Sequence, residues 1–554
     1  MLKRSSLSSE RTDRIRVFVF SALLGAFIFI LVFGPYVLNP FFDDWIFMTD
    51  ERDLVQHYLG FCLYRSSPWQ FPVGLVTTAS YPHDMSVIYT DAIPLFAFLG
   101  KLLDPVLPQV FQYLGIYGML SMALSGGTGA LIIYEYTKNM KAALVTSVFY
   151  SLSWVLLYRM FYHTSLTSHW LILLAFYLWI RLKYEKNVLI NCIILSVFSV
   201  TALLIHPYIW AMCGGIIAMS LVEYLIERKD IMKFLLYGFI YCLTGVVCLY
   251  AFGALAVGKG MSLGAGSYEA NLNTMFNSMD FAILPGLPVA LLQYEGFGYL
   301  GAGILILAMV TLLIIVIRRK RPGLSLHRGL LVITAACFTV FSIIPEISWG
   351  KSVLLDIDLG KLFGTFVGIF RSNGRFIWPV CYLLMIFITV FLYRNMKEKV
   401  FFIVIVLCLI IQIADMMPYL AEKHRRFAVK DYKYSGILDG NTAVDAVIDR
   451  YDHIVMDIED GEVDQYLSYY AYLHDMTTND FYYARPIESK VQNTLEALRD
   501  DMSKGRYDDT LLYVIEEDKL PLYKDYELHF YEIEGRYLAS HEAIDGLSEI
   551  VPDE

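Results

Sequence analysis

Charge is what this chain has least of: Asp, Glu, Lys and Arg make up only 18% of its 554 residues, against 57% hydrophobic ones. With a mean hydropathy of +0.51, that balance excludes an ordinary water-soluble globular protein. Cysteine is sparse as well. Cys192, Cys213, Cys242, Cys248, Cys337, Cys381 and Cys408 lie in apolar runs and Cys62 stands alone. Neither a disulfide framework nor a metal-ligand spacing is visible, and each reads as a small hydrophobe in helix packing.

What is present in quantity is long apolar runs. Stretches near the ~20 residues that cross a bilayer recur through the first three quarters of the chain. Eleven spans are predicted: Val17–Leu38, Val110–Tyr134, Ala142–Leu157, Leu166–Ile180, Val188–Ile205, Tyr208–Ile226, Ile231–Leu255, Tyr299–Ile317, Leu330–Ile344, Phe376–Leu392 and Val400–Met417. The first is read as a retained span, because it is long and no small-residue cleavage site follows it. Ala92–Leu103 is apolar but too short to cross, with Pro94 and Pro105 around it, and reads as a re-entrant or interfacial helix.

The few charges are unevenly placed. From Ala421 onward there are 14 Lys+Arg and 31 Asp+Glu, a net of −17 in a chain whose total is −10, so the first 420 residues are net positive. Residues 1–420 therefore read as a membrane domain with a large first outer loop, 39–109, and 421–554 as an acidic soluble domain. That acidity argues against nucleic acid as a partner. In the tail, strand-like runs such as YDHIVMDI and TLLYVIEE alternate with helix-like ones such as VQNTLEALRDDM, predicting a small α/β domain. It holds no Gly-rich phosphate loop and no nucleophile motif. Eleven spans make every alternate loop basic, from Arg11, Arg14 and Arg16 through RRKRPGLSLHR to Arg394, Lys397 and Lys399. By the positive-inside rule the N-terminus is then cytoplasmic and the tail extracytoplasmic.

The first outer loop gathers Asp43, Asp44, Asp50, Glu51, Asp53, His57 and Arg65 among aromatics. Charge beside lipid is costly and tends to persist where it is used, which suggests proton transfer or cation binding. Asp53 and His57, four apart, share a face if the segment is helical; the alternative is Asp53 as a helix cap and His57 as its solvated neighbour. Asp44, Asp50 and Glu51 suit helix starts equally well, and Asp91 either caps the Ala92–Leu103 helix or meets a substrate. Among the few outer cations, Arg65, Arg159, Lys351, Arg371 and Arg375, the arginines suit a phosphate head, a lipid headgroup or a neighbouring carboxylate. His163 and His206 stand at outer helix ends as phosphate or hydroxyl ligands, or as caps. Glu295 and Trp69 suit sugar hydroxyls and sugar stacking, although packing is an ordinary use of Trp69.

The segments DLVQHYLGFCLYRSSPWQFPVG (Asp53 to Gly74), YTDAIPL, QYLGIYG, LLQYEGFGYLGAG (Leu291 to Gly303) and FRSNGRFIWPV (Phe370 to Val380), with TTNDFYYAR and DDTLLYV in the tail, resemble a bacterial family of uncharacterised polytopic membrane proteins grouped with the GT-C glycosyltransferases. The resemblance implies an external active site, a polyprenyl-phosphate-linked sugar as donor, and a carboxylate of the first outer loop as general base. It puts Asp53 first for that role, with Asp50 and Asp44 as the other catalytic candidates. His57, Arg65, Asp91, His163, His206, Glu295, Arg371 and Arg375 are the expected substrate ligands.

The resulting expectation is a mainly α, GT-C-like multi-pass glycosyltransferase of the bacterial plasma membrane. It would move a sugar onto a glycan, lipid or protein acceptor of the envelope without a cofactor. A divalent ion is the alternative, since the carboxylates would favour a hard cation. The rival classes are a transporter or flippase of lipid-linked sugars, for which an internal repeat is missing, and a non-catalytic envelope assembly protein.

Overall fold

The computed structural model describes residues 2–49, 51–182, 184, 186–257, 268–317, 325–360, 364, 368–436, 438, 440–458, 461–482 and 488–551. The chain forms two compact units that the linear reading does not separate. One comprises residues 1–40, 113–245 and 262–430; the other comprises 41–112, 246–261 and 431–554. The first outer loop thus joins the acidic tail, not the helices that flank it.

Ten helices among the described residues are long and apolar enough to cross a membrane, and Ala302–Ile317 is a shorter apolar one. Each expected span coincides with one of these eleven. The first helix begins well before its expected start, at Leu2, and the second begins after it, at Leu114, with Tyr113 as its cap. The helix ends follow from local chemistry. Asn139 accepts from the Ala142 amide, Asn187 from Leu189 and Ile190 and Ser325 from Arg328, each satisfying donors that a helix start leaves open. Lys138 and Lys229 end their helices in the left-handed conformation.

One helix start is capped from outside its own chain segment. In the helix Glu398–Phe427, Gln412 accepts from the Gly303 and Ile304 amides at 2.9 and 3.3 Å. Asp415 of the same helix accepts from the Ala302 amide and the Tyr299 hydroxyl. The neutral Gln412 amide oxygen satisfies two amides of the helix start, the Asp415 carboxylate lies where the helix dipole favours negative charge, and together they fix one helix against the other. Gly303 makes the approach possible, since a Cβ there would meet the Cys408 carbonyl oxygen at 2.1 Å.

In the second unit the helix Arg52–Ser66 is buried at every position from Leu54 to Arg65. It underlies the tail helix Gly461–Leu473, where Gln465 donates to the Arg52 carbonyl and Tyr472 to that of Gln109. The tail is the α/β domain expected: a six-stranded mixed sheet in the order Glu549–Ile550, His529–Ile533, Arg536–Ser540, Leu511–Ile515, His453–Asp457, Thr477–Thr478. His453–Asp457 pairs in parallel with both of its neighbours, and the remaining pairs are antiparallel. The short apolar segment Ala92–Leu103, expected as a re-entrant or interfacial helix, is a helix over Pro94–Leu102.

Replacing Gly303 by Ala forces two backbones apart and lowers the apparent melting temperature of the detergent-solubilised protein, at a cost of about 1–3 kcal/mol. Gly329→Ala, where a Cβ meets nothing within 4 Å, leaves it unchanged or raises it. Equal losses in the two variants would contradict the close approach at Gly303.

Candidate functional site

The first unit buries an ion cluster made by three loops. Arg159 follows the short helix Trp154–Leu157, Glu295 lies in the turn Gln293–Gly296 and Arg375 in the turn Asn373–Ile377. The last two turns are clamped on either side of Tyr268–Ala270. A Cβ on Gly296 would meet Ala270 Cα at 2.4 Å, and one on Gly374 the Tyr268 carbonyl oxygen at 2.4 Å. The glycine beside each charged residue therefore allows the loops to approach closely enough for the charges to meet.

Glu295 Oε2 accepts from Arg159 Nη2 at 2.7 Å and from Arg375 Nε at 2.7 Å. Arg159 Nη2 also donates to the Glu295 carbonyl at 3.0 Å. Arg159 is 0% exposed, Arg375 6% and Glu295 7%. Aromatic faces supply the rest of the cationic environment: Arg159 lies 5.0 Å from the Tyr158 ring and 5.5 Å from that of Trp378, and Arg375 lies 4.8 Å from that of Tyr208. Burial raises the Glu295 carboxyl, but the two guanidiniums, aided by His163, outweigh it and hold the group well below the usual carboxylate range.

Two arginines and one ionised glutamate leave a buried excess of one positive charge. Arg159 Nε and Nη1 have no hydrogen-bond acceptor, and the buried hydroxyls of Thr164 and Ser165 in the next turn have no partner either. Unfilled donors in a dry site are costly. A cationic cluster with open donors and nearby hydroxyls is suited to an anionic, oxygen-rich ligand.

Sequence reasoning anticipated these outer charges but not their pairing. Glu295, expected to hold sugar hydroxyls, is the strut between the arginines. For Arg159, one of the outer arginines suited to a phosphate, a headgroup or a carboxylate, the structure shows the carboxylate partner, Glu295. His163 stands near Glu295, and its ring lies 6.0 Å from that of His206. His206 itself is a cap, its Nδ1 accepting from the Tyr208 amide at 3.1 Å, and Arg371 is half-buried.

In the second unit the expected roles shift between residues. Asp53 is half-buried in the first turn of its helix, and Asp50 lies outside the described residues. Asp44 accepts from the Tyr434 amide at 3.1 Å. Asp43, by contrast, is buried, and it accepts from the hydroxyls of Tyr58 at 2.7 Å and Tyr469 at 2.6 Å. Burial pushes its carboxyl up, against those two hydrogen bonds. No local pattern marks this acid, because one of its partners is 426 residues away.

Arg65, expected at a phosphate, has its guanidinium occupied: it pairs with Asp104 and donates to the carbonyls of Leu107, Pro108 and Gln109. Nor does Asp91 cap the following helix, which opens at Ile93 and Pro94. The Asp91 carboxylate instead lies within 4.8 Å of a fully buried His57 nitrogen. Gly60 admits this approach, since a Cβ there would meet Thr90 Cβ at 2.4 Å. Asp91 and Ile93 both hold φ of 54°, a conformation costly for a β-branched residue.

A family described as "Domain of unknown function (DUF6311)" matches residues 22–417, and its companion, the DUF6311 C-terminal domain, matches 443–541. The chain belongs to the DUF6311 family. The three residues of the ion cluster fall inside the first match. No curated protein matches this DUF6311 chain. Among solved structures it is similar to the apo form of the Archaeoglobus fulgidus oligosaccharyltransferase, at 12% identity and a TM-score of 0.39, over 97% of this chain and 76% of that one.

Glu295→Gln leaves two buried guanidiniums without a counter-charge and destabilises the protein by about 3–5 kcal/mol, read as a fall in melting temperature. Because the native carboxyl is held below its ordinary value of about 4.3, this contribution is complete at and above that range. It shrinks only as the pH falls toward the native value. A loss that instead disappeared on raising the pH toward neutrality would contradict the ion pairing.

Proposed function

We propose that this DUF6311 protein is a membrane glycosyltransferase that takes a sugar from a polyprenyl-phosphate carrier and passes it to an envelope acceptor on the extracytoplasmic face. The observation that carries the reading is the buried cationic cluster with two open guanidinium donors on Arg159. In such a transfer the acceptor hydroxyl attacks the anomeric carbon. The bond from that carbon to the phosphate oxygen breaks, and the polyprenyl phosphate leaves with one further negative charge. Its departure needs little acid assistance but gains from fixed positive charge in a site closed to water. Arg159 and Arg375 supply that charge, and Glu295 holds both in place. A first-loop carboxylate takes the acceptor proton, with Asp53 as the leading candidate.

The alternating basic loops support the orientation, with the N-terminus cytoplasmic and the tail outside. Membrane lipids and a glycan, lipid or protein acceptor are the partners this reading implies.

The test is release of polyprenyl phosphate from a radiolabelled polyprenyl-phosphate hexose by the protein in nanodiscs, with envelope extract as acceptor. Wild type turns the donor over, and Arg159→Ala, where folded, lowers the rate about 10²–10³-fold. Asp53→Asn lowers it by about 10²–10⁴-fold. Unchanged turnover in the arginine variant would end the phosphate assignment, and in the aspartate variant the assignment of the base. Donor movement across the bilayer without sugar transfer would favour the flippase.

A further inference from the structure

An apolar loop leads directly into the turn that carries Glu295. Residues 281–292 read FAILPGLPVALL, with no charged or hydrogen-bonding side chain, and they form neither helix nor strand. A loop of this composition in water would fold its side chains inward. Here Ile283 is 65% exposed and Leu291 88%, and Leu284 and Leu287 are exposed with them.

The backbone of the same loop is turned the other way. The Ile283 amide donates to the Asp415 carbonyl at 3.0 Å and the Leu284 amide to the Asp415 carboxylate at 3.1 Å. The Gly286 amide donates to the Asp280 carboxylate at 2.7 Å, and the Leu287 amide to the Asn277 side-chain oxygen at 2.7 Å. Pro285 and Pro288 have no N–H to satisfy. Every N–H from residue 283 to residue 288 is therefore bonded. The carbonyls of Leu284, Leu287 and Pro288 accept from Ser278, Asn277 and Asn273, three polar residues that are themselves buried. Irregular backbone is ordinarily kept out of hydrocarbon because its polar groups go unpaired there. In this loop side chains pair them. Apolar groups outside and polar groups inside is the order that lipid selects and water does not.

Asp415 fixes how deep the loop sits. It lies 17 residues along the helix Glu398–Phe427, about 25 Å from the charged start at 1.5 Å per residue. The hydrocarbon core is about 30 Å thick, so Asp415 falls just inside its far edge, and tilting the helix only brings it deeper. The exposed apolar side of that helix continues past Asp415, since Met417 is 52% exposed. The loop bonded to Asp415 stands at the same level.

We propose that residues 281–292 are immersed in the hydrocarbon edge of the leaflet remote from Glu398, with Ile283, Leu284, Leu287 and Leu291 against lipid chains. The turn Gln293–Gly296, and Glu295 with it, is then suspended from a lipid-embedded segment. The proposal requires a membrane alone and does not depend on the transferase reading.

The test uses the full-length protein in nanodiscs. Cys192, Cys242 and Cys337, the cysteines that are not buried, are replaced by Ala, and a nitroxide is attached to a single new cysteine in each of Ile283→Cys, Leu287→Cys, Met417→Cys and Glu534→Cys. Power saturation of the spin-label signal measures collisions with oxygen, which concentrates in lipid, and with a water-soluble nickel chelate. At positions 283 and 287 oxygen collisions exceed nickel collisions several-fold, as they do at position 417, while position 534 in the exposed tail turn shows the reverse. Leu287→Asp, which places a charge against lipid, lowers the melting temperature in nanodiscs by several degrees. The proposal is overturned if nickel reaches either loop label as it reaches position 534, since water then faces the loop. It is equally overturned if both reagents are excluded, since protein then covers it, or if Leu287→Asp melts as wild type does.

Discussion

The interaction on which the candidate site depends is the buried Glu295 carboxylate held between two guanidiniums. It joins three loops that are otherwise separate in sequence, and it does so where water cannot screen the charges. A buried ion pair rarely adds net stability over a hydrophobic equivalent, because desolvation offsets most of the attraction. A triad of two cations and one anion is poorer still as a stabilising device. Its retention makes more sense if the surplus charge is used, and the open donors of Arg159 indicate where.

The packing around the cluster follows from that need. Gly296 and Gly374 leave no room for a side chain where their loops grip Tyr268–Ala270. Tyr158, Trp378 and Tyr208 lay ring faces against the guanidiniums, which allows the cations to be dry without further carboxylates. Additional acids would neutralise the cluster and remove its capacity for an anion. Gln412 and Asp415, by contrast, serve a helix end, that of Ala302–Ile317. The ion cluster is different in that the donors left over are those of a charged guanidinium.

How much of this was legible in the sequence depends on how local its cause is. The helices were legible because length and hydropathy are properties of single segments, and each expected span coincides with one. The tail was legible as α/β because its alternating runs carry their own periods. Pairings were not. Arg159 and Glu295 are separated by 136 residues, and Glu295 and Arg375 by 80. Nothing in YRMFYH, QYEGF or FRSNGRF specifies which charges will meet. Spacing along one helix suggested Asp53 for His57, whereas a strained loop brings Asp91 to it. Arg65 looked available because the carbonyls that occupy it lie 42 to 44 residues further on. The packing of the first outer loop with the tail was invisible for the same reason, since Asp43 gains its tyrosine partners only on folding.

The central claim is that the guanidinium donors left open on Arg159 receive a lipid phosphate. The most direct measurement is a cryo-electron-microscopy structure of the protein in nanodiscs with a non-hydrolysable polyprenyl-phosphonate sugar. The account predicts phosphonate density within hydrogen-bond reach of Arg159 Nε and Nη1, with Glu295 still joining both arginines. Lipid-head density elsewhere, with Arg159 satisfied by ordered water or by protein oxygen, would contradict it.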